Sequence, residues 1–161
     1  MNKVLISACL LGQNVRYDGR NNLFDHPLIN QLKSENRLVT VCPEVSGGLS
    51  VPRPYSKINQ RIPIEVLTVD GDDVTPQFLL GAELTVEKAK KEGCVVALMK
   101  SNSPSCGNRD IEGTTFSGAV KMGAGIAAQE LLSFGIPVFN EHEMDSLKAL
   151  LAQHDDDALT A

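Results

Sequence analysis

Apolar residues fall in short blocks along this chain, and the blocks alternate between two spacings. Lys3 to Ser7 and Arg37 to Val41 are compact aliphatic and β-branched runs, while Pro27 to Asn36 carries apolar residues at 28, 29 and 32 behind a cap at Asp25 or His26. This spacing predicts strand, helix, strand. Ile64 to Val69 alternates toward the turn Asp70-Gly71-Asp72-Asp73, and Thr75 then caps a helix with Pro76 at its first position. Phe78, Leu79, Ala82, Val86 and Ala89 lie along one face of that helix, and Gly93 ends it. Further on, the pattern predicts a buried strand over Cys94 to Met99, a helix over Met122 to Phe134, a strand over Ile136 to Asn140 and a closing helix over Glu143 to Gln153.

Strands alternating with helices in this way predict an α/β fold, a mostly parallel, Rossmann-like sheet with helices on both faces and right-handed crossovers. No repeat or linker divides the chain. The expected organisation is a single α/β domain over residues 1–153 with a frayed tail over 154–161.

Parallel strands change the meaning of the cysteines. Cys9, Cys42 and Cys106 each follow the C-terminal end of a predicted strand, where open α/β sheets gather ligands. Cys94 begins its strand, so it belongs at the opposite edge, about 15 to 20 Å away at the rise of an extended chain. The expectation is three thiols meeting at one site and one buried, apolar thiol elsewhere.

Composition narrows the chemistry. The chain has 161 residues, of which 42% are hydrophobic and 22% charged, enough to bury a core without disulfides. The N-terminus turns polar too soon for a signal peptide, and no apolar run reaches the roughly 18 residues of a membrane span. A cytoplasmic protein is therefore expected, with its cysteines reduced and available for metal or nucleophilic chemistry. A formal net charge of −5, no Trp and two Tyr argue against a polynucleotide partner, though not against a free nucleobase.

Zinc favours four closed ligands, often in C-x2-C pairs, and the chain has no such pair; His26, His142 and His154 sit in polar or tail contexts. An iron-sulfur cubane suits three dispersed thiolates and keeps one iron open as a Lewis acid. Glu44, two residues after Cys42, is placed to act as a base toward water, or else to cap a loop. Ser101, Ser103 and Ser105 offer hydroxyls to a substrate or cap the turn around Pro104. Arg16 and Arg53 bring positive charge toward the site, or form surface ion pairs. Gly123 to Ala128 matches the dinucleotide pattern G-x-G-x-x-A with Glu141 downstream, but Gly113 to Val120 before it makes a poor buried strand. Small residues for close packing are the plainer explanation, with helix-terminal amides free for an anion as a further reading.

Six segments together carry a family likeness: S-A-C-L-L-G with R-Y-D-G at 7 to 19, C-P-E-x-x-G-G-L with P-R-P at 42 to 54, G-x-D-V-T with F-x-x-G-A at 71 to 82, K-S-x-S-P-S-C-G at 100 to 107, G-x-G-I-x-A at 123 to 128, and I-P-V-F-N-E at 136 to 141. In these the chain resembles the bacterial thiouracil desulfurases that carry an iron-sulfur cluster. The resemblance implies a 4Fe-4S cluster on Cys9, Cys42 and Cys106, Glu44 as catalytic acid or base, and Ser101 assisting at the substrate; Ser103, from its own place beside Pro104, is a substrate-binding candidate. It also implies a small thiolated nucleobase as substrate and cluster-assembly machinery as a maturation partner. The expected reaction is non-redox: the open iron captures the thiocarbonyl sulfur, Glu44 activates water, Ser101 donates a hydrogen bond, and 2- or 4-thiouracil gives uracil and sulfide. Tyr55-Ser56-Lys57 departs from the small residue and acid expected after Pro-Arg-Pro, which bears on substrate choice. An electron-transfer protein, a cluster-dependent hydro-lyase and a non-catalytic nucleotide-binding module are the competing readings.

Overall fold

The structure is a computed structural model that describes residues 2–109, 112–115, 118–121 and 123–160. Its centre is a four-stranded, wholly parallel sheet of β1 (Lys3–Ser7), β2 (Leu38–Val41), β5 (Cys94–Leu98) and β8 (Val138–Phe139), in the order β2-β1-β5-β8. From β1 the chain crosses to β2 on one side, and from β5 it crosses to β8 on the other. The strand order therefore reverses between β1 and β5, the place where such sheets leave a crevice at their C-terminal ends.

The strands are buried on both faces, and the alternation of their side chains sorts the core. Val4 and Ile6 of β1 join Val96 and Leu98 of β5 against α1 (Pro27–Ser34) and α5 (Met144–Thr160), which contribute Leu28, Ile29, Leu32, Leu147 and Leu151. Leu5 and Ala97 point the other way, with Val86 and Ala89 of α3 (Thr75–Glu92) and Ala128 and Leu131 of α4 (Ile126–Ser133). Each large aliphatic side chain enclosed in this way contributes roughly 1.5–3 kcal/mol. Helices thus cover both faces, as the sequence predicts.

Among the described residues, two antiparallel strand pairs stand outside the parallel sheet. The first pairs β3 (Ser56–Arg61) with β4 (Ile64–Thr68) and packs Ile58 and Val66 on Phe78, Ala82, Ile126 and Ala127. The sequence predicts only its second strand, because Ser56 to Arg61 is polar apart from Ile58. The other pairs β6 (Glu112–Thr115) with β7 (Gly118–Lys121), so the Gly- and Thr-rich stretch is no strand of the parallel sheet. Met122, where the sequence predicts the helix that corresponds to α4 to begin, lies outside the described residues.

Some boundaries differ from expectation for local reasons. Thr75 is the first residue of α3 and not its cap: its hydroxyl binds the Val66 amide at 2.8 Å, and its own amide is taken by Asp73. Leu79, expected on the inner face, is exposed. The closing helix continues to Thr160, through most of the segment expected to fray. Asp155 accounts for that, since both its oxygens accept from the buried Arg37 guanidinium, at 2.8 and 2.9 Å, and Asn2 donates to it as well. Among the described residues no helix is long and apolar enough to cross a membrane.

Candidate active site

Three loops leave the C-terminal edge of the sheet side by side, and each carries one of the three expected thiols. After β1 the chain makes a 3-10 turn, Ala8–Leu11, that presents Cys9, whose Sγ accepts from the Asn22 side chain at 3.4 Å. After β2, Cys42 caps the one-turn helix α2 (Pro43–Ser46), its thiol 3.9 Å from the Val15 carbonyl. After β5, the loop turns at Asn102 (φ 60°) and reaches Cys106. All three line one cavity of about 250 Å³, with Glu44, Arg53, Lys100, Ser101, Ser103 and Ser105 also in its wall. Cys94 starts β5 at the far edge, buried as expected.

Burial pushes the Cys106 thiol up to about 12, with the neighbouring Cys42 and Cys9 adding to the rise against hydrogen bonds from Ser7 and Ser105. Burial likewise raises Cys9 and Cys42, though Asn22 and the cations Lys100 and Arg16 pull Cys9 back, as Arg53 does Cys42. These thiols hold their protons at neutral pH unless a cation shares the site.

On the Cys42 side Glu44 is held at both ends. Its Oε1 accepts from Arg53 Nε at 3.2 Å and its Oε2 from the Ser105 hydroxyl at 2.8 Å; the Arg53 and Glu44 side chains are only 5% and 13% exposed. Arg53 also donates to the carbonyls of Ser50 and Val15, at 3.0 and 2.9 Å, so its fork is fixed on three sides. Behind Glu44, α2 and α3 meet backbone to backbone. A Cβ on Gly47 would stand 1.9 Å from the Gln77 carbonyl oxygen, and one on Gly81 would stand 1.9 Å from that of Pro43. Only glycine fits at either point, so Gly81 sets the seat of a carboxylate far from it in sequence.

On the Cys9 side a second carboxylate, Glu141 from the end of β8, binds Lys100 Nζ at 2.7 Å, the Ser101 amide at 2.8 Å and the Ser101 hydroxyl at 3.0 Å. Burial pushes the Glu141 carboxyl up, but these bonds and its own backbone amide outweigh that and hold it below the ordinary range. Between the two sides, Ser103 Oγ accepts the amides of Ser105 and Cys106, at 3.2 and 3.0 Å, and lies 3.0 Å from Ser105 Oγ. That is the turn-capping geometry, on a residue that also lines the cavity.

The Gly-rich segment has a different use. Amides of Gly125, Ile126 and Ala128, at the start of α4, bind the carbonyls of Gly107, Pro104 and Ser105 at 2.7, 2.9 and 3.0 Å. The helix start clamps the Cys106 loop, and these three amides are not offered to an anion. Glu141, the acid that a dinucleotide site would need, faces Lys100 and Ser101 instead.

The cavity thus brings together every site residue expected from the sequence. Ser105 as the partner of Glu44, the Lys100–Glu141 pair and Asn22 are additions. A lysine beside a serine at one strand end and a glutamate at the end of another were the available signals, though the sequence does not say which strands are neighbours. The two tyrosines, Tyr17 and Tyr55, also meet at the cavity, edge to face with centroids 5.0 Å apart.

Comparison with known proteins gives three findings. The model of the family described as 2-thiouracil desulfurase matches residues 4–143. The uncharacterized protein YbbK of Bacillus subtilis (strain 168) is 35% identical over 151 residues, covering 89% of this chain and 99% of its own. A solved structure of TudS, a thiouracil desulfidase described as 4Fe-4S-dependent, superposes with a TM-score of 0.87 at 39% identity, over 95% of this chain and 99% of that one.

Proposed function

Because this chain belongs to the 2-thiouracil desulfurase family, we propose that it hydrolyses the C–S bond of a small thiolated nucleobase, 2- or 4-thiouracil, to give uracil and sulfide with the help of a 4Fe-4S cluster. The observation that carries the reading is the convergence of Cys9, Cys42 and Cys106 on one cavity that also holds Glu44 braced by Arg53 and Ser105.

The donor set suits the cluster. Among the described residues no group of three or more His, Cys, Asp or Glu closes on a single metal ion. A cubane has its irons at separate corners and takes thiolates that stand apart around it, so three thiols lining one cavity are the better match. Burial raises all three thiols, and buried thiols give up their protons when a cationic group binds them. Cys9, Cys42 and Cys106 would hold the cluster. Bound there, it would supply Lewis acidity and an affinity for sulfur at its iron without a cysteine.

The protein's own residues do the rest. Glu44, its oxygens fixed by Arg53 and Ser105, takes a proton from water, and the oxygen of that water adds to the thiocarbonyl carbon. As the carbonyl forms, the C–S bond breaks, and the sulfur departs as hydrogen sulfide with the two protons the water brought. Thiocarbonyl and carbonyl carbon share one oxidation level, so no reductant is consumed. Ser101 contacts the ring, and Ser103 shapes the same wall and binds substrate. A single α/β domain, which the Arg37–Asp155 pair carries past residue 153, works in the cytoplasm, where free thiols persist and cluster-assembly machinery can load them.

The test is anaerobic turnover of 2- and 4-thiouracil in water labelled with heavy oxygen. Labelled uracil and stoichiometric sulfide without an electron donor are expected. Unlabelled uracil, or sulfide that appears only with a reductant in equal amount, would overturn the mechanism.

A further inference from the structure

Every hydrogen around Ser101 can be assigned. Lys100 has three ammonium hydrogens and three acceptors for them: Glu141 Oε2 at 2.7 Å, the Ser101 carbonyl at 3.1 Å and Ser101 Oγ at 3.1 Å. An ammonium donates and never accepts, so Ser101 Oγ gives one lone pair to Lys100. The serine's single hydrogen then has one charged acceptor, Glu141 Oε2 at 3.0 Å. Glu141 stays ionised at neutral pH, because the bonds it receives hold its carboxyl below the ordinary range. What Ser101 has left is one lone pair, on a residue that lines the cavity.

We propose that Glu141 and Lys100 are positioning residues that lock Ser101 as a hydrogen-bond acceptor, and that this acceptor selects rings with an N–H next to the thiocarbonyl. The substrate class is then cyclic thioamides with a free N–H. This rests on the desulfuration reading, and it reverses the donor role that the sequence suggests for Ser101. Turning the serine hydroxyl toward a substrate would break a charge-assisted bond to Glu141, whereas receiving a ring N–H leaves all three existing bonds in place. The class contains both candidate substrates: N3–H adjoins the thiocarbonyl in 2-thiouracil and in 4-thiouracil alike.

The experiment reads binding without turnover. Uracil, 1-methyluracil and 3-methyluracil are titrated calorimetrically into the anaerobic holoenzyme of the wild type, Glu141→Gln and Ser101→Ala, beside an assay of sulfide release from thiouracil. The two methyl isomers have equal bulk and differ in which N–H they retain. In the wild type one isomer should bind within about threefold of uracil and the other about tenfold more weakly, the scale of one lost hydrogen bond. In both variants the gap between isomers should fall below about threefold. Glu141→Gln adds no bulk and leaves the serine in place, so closure of the gap there reports the direction of the bond. Isomers that bind the wild type alike, a gap that survives in either variant, or no measurable uracil binding would each overturn the proposal. A wild type that shows the gap but releases no sulfide would overturn the desulfuration reading instead.

Discussion

Two carboxylates reach the thiol cavity region from opposite loops, each with a cation and a serine as partners, yet they are presented in opposite ways. Glu44, held by Arg53 and Ser105, lines the cavity itself. Glu141, held by Lys100 and Ser101, is not among the residues lining it; its two partners are. The same three kinds of group, carboxylate, cation and hydroxyl, therefore serve two ends. Where the carboxylate faces the ligand it can exchange a proton, and where it stands behind a serine and a lysine it fixes what they offer. Residue type alone does not assign a role; the order in which partners stand between the group and the ligand does.

The largest expected effect falls on the thiols that both sides share. Cys9→Ser, Cys42→Ser and Cys106→Ser should each remove most of the iron, the broad visible absorbance and the activity. Cys94→Ser should keep all three, with a modest loss of stability for a hydroxyl in the core. Iron analysis and spectra of anaerobically purified protein read this, and bleaching by Cys94→Ser would refute the gathering of the other three at one edge.

Next come the carboxylates themselves. Glu44→Gln should lower kcat on the order of 100-fold or more with iron content intact, the usual range for a lost acid or base. Glu141→Gln should cost about tenfold, mostly in KM, as a positioning change would. Equal losses in kcat would erase the distinction between the two carboxylates.

Smaller effects are expected from their partners. Arg53→Lys should lower kcat about tenfold, since an ammonium on a flexible stem cannot hold Glu44 and the carbonyls of Val15 and Ser50 together. Ser105→Ala should cost only a few-fold, as one hydrogen bond to Glu44 is lost and Arg53 remains.

The smallest effect is on stability. The Glu141 carboxyl is held below its ordinary value of 4.5 in the folded chain. Its contribution is therefore fully present above that value and is lost as pH falls through the lower folded value. The Tm difference between wild type and Glu141→Gln should be constant from pH 6 to 8 and should shrink below about pH 4.5. A difference that grows on acidification would contradict the pairing.

The thiol trio was legible because parallel strands put like ends together: strand-length apolar runs before Cys9, Cys42 and Cys106, and Cys94 at a strand's beginning, were enough. The hairpin strand Ser56–Arg61 was not, since its two buried positions are Ser56 and Ile58, and a buried serine gives no hydrophobic alternation to read. Bonds such as Ser105 to Glu44 and Lys100 to Glu141 join loops whose order in the sheet the sequence does not state. The dinucleotide-like motif was legible as close packing from the poor strand before it: Gly125 answers the close approach of the Cys106 loop, where a Cβ on it would stand 2.6 Å from the Ser105 carbonyl carbon. The extent of the last helix was hidden because its anchor, Arg37, lies in another part of the chain.

The parallel sheet order has a consequence in time as well as in space. Cys9, Cys42 and Cys106 belong to loops separated by whole helices, so their meeting is among the long-range events of folding, and loop-closure entropy delays it. During synthesis Cys9 and Cys42 emerge well before Cys106, and β5 has to take its place beside β1 before the third thiol can join them. A nascent or partly unfolded chain thus offers dispersed thiols in place of a three-point cradle. With the proposed ligation, acceptance of a cluster becomes a late checkpoint, open only to chains whose central strands have already been ordered.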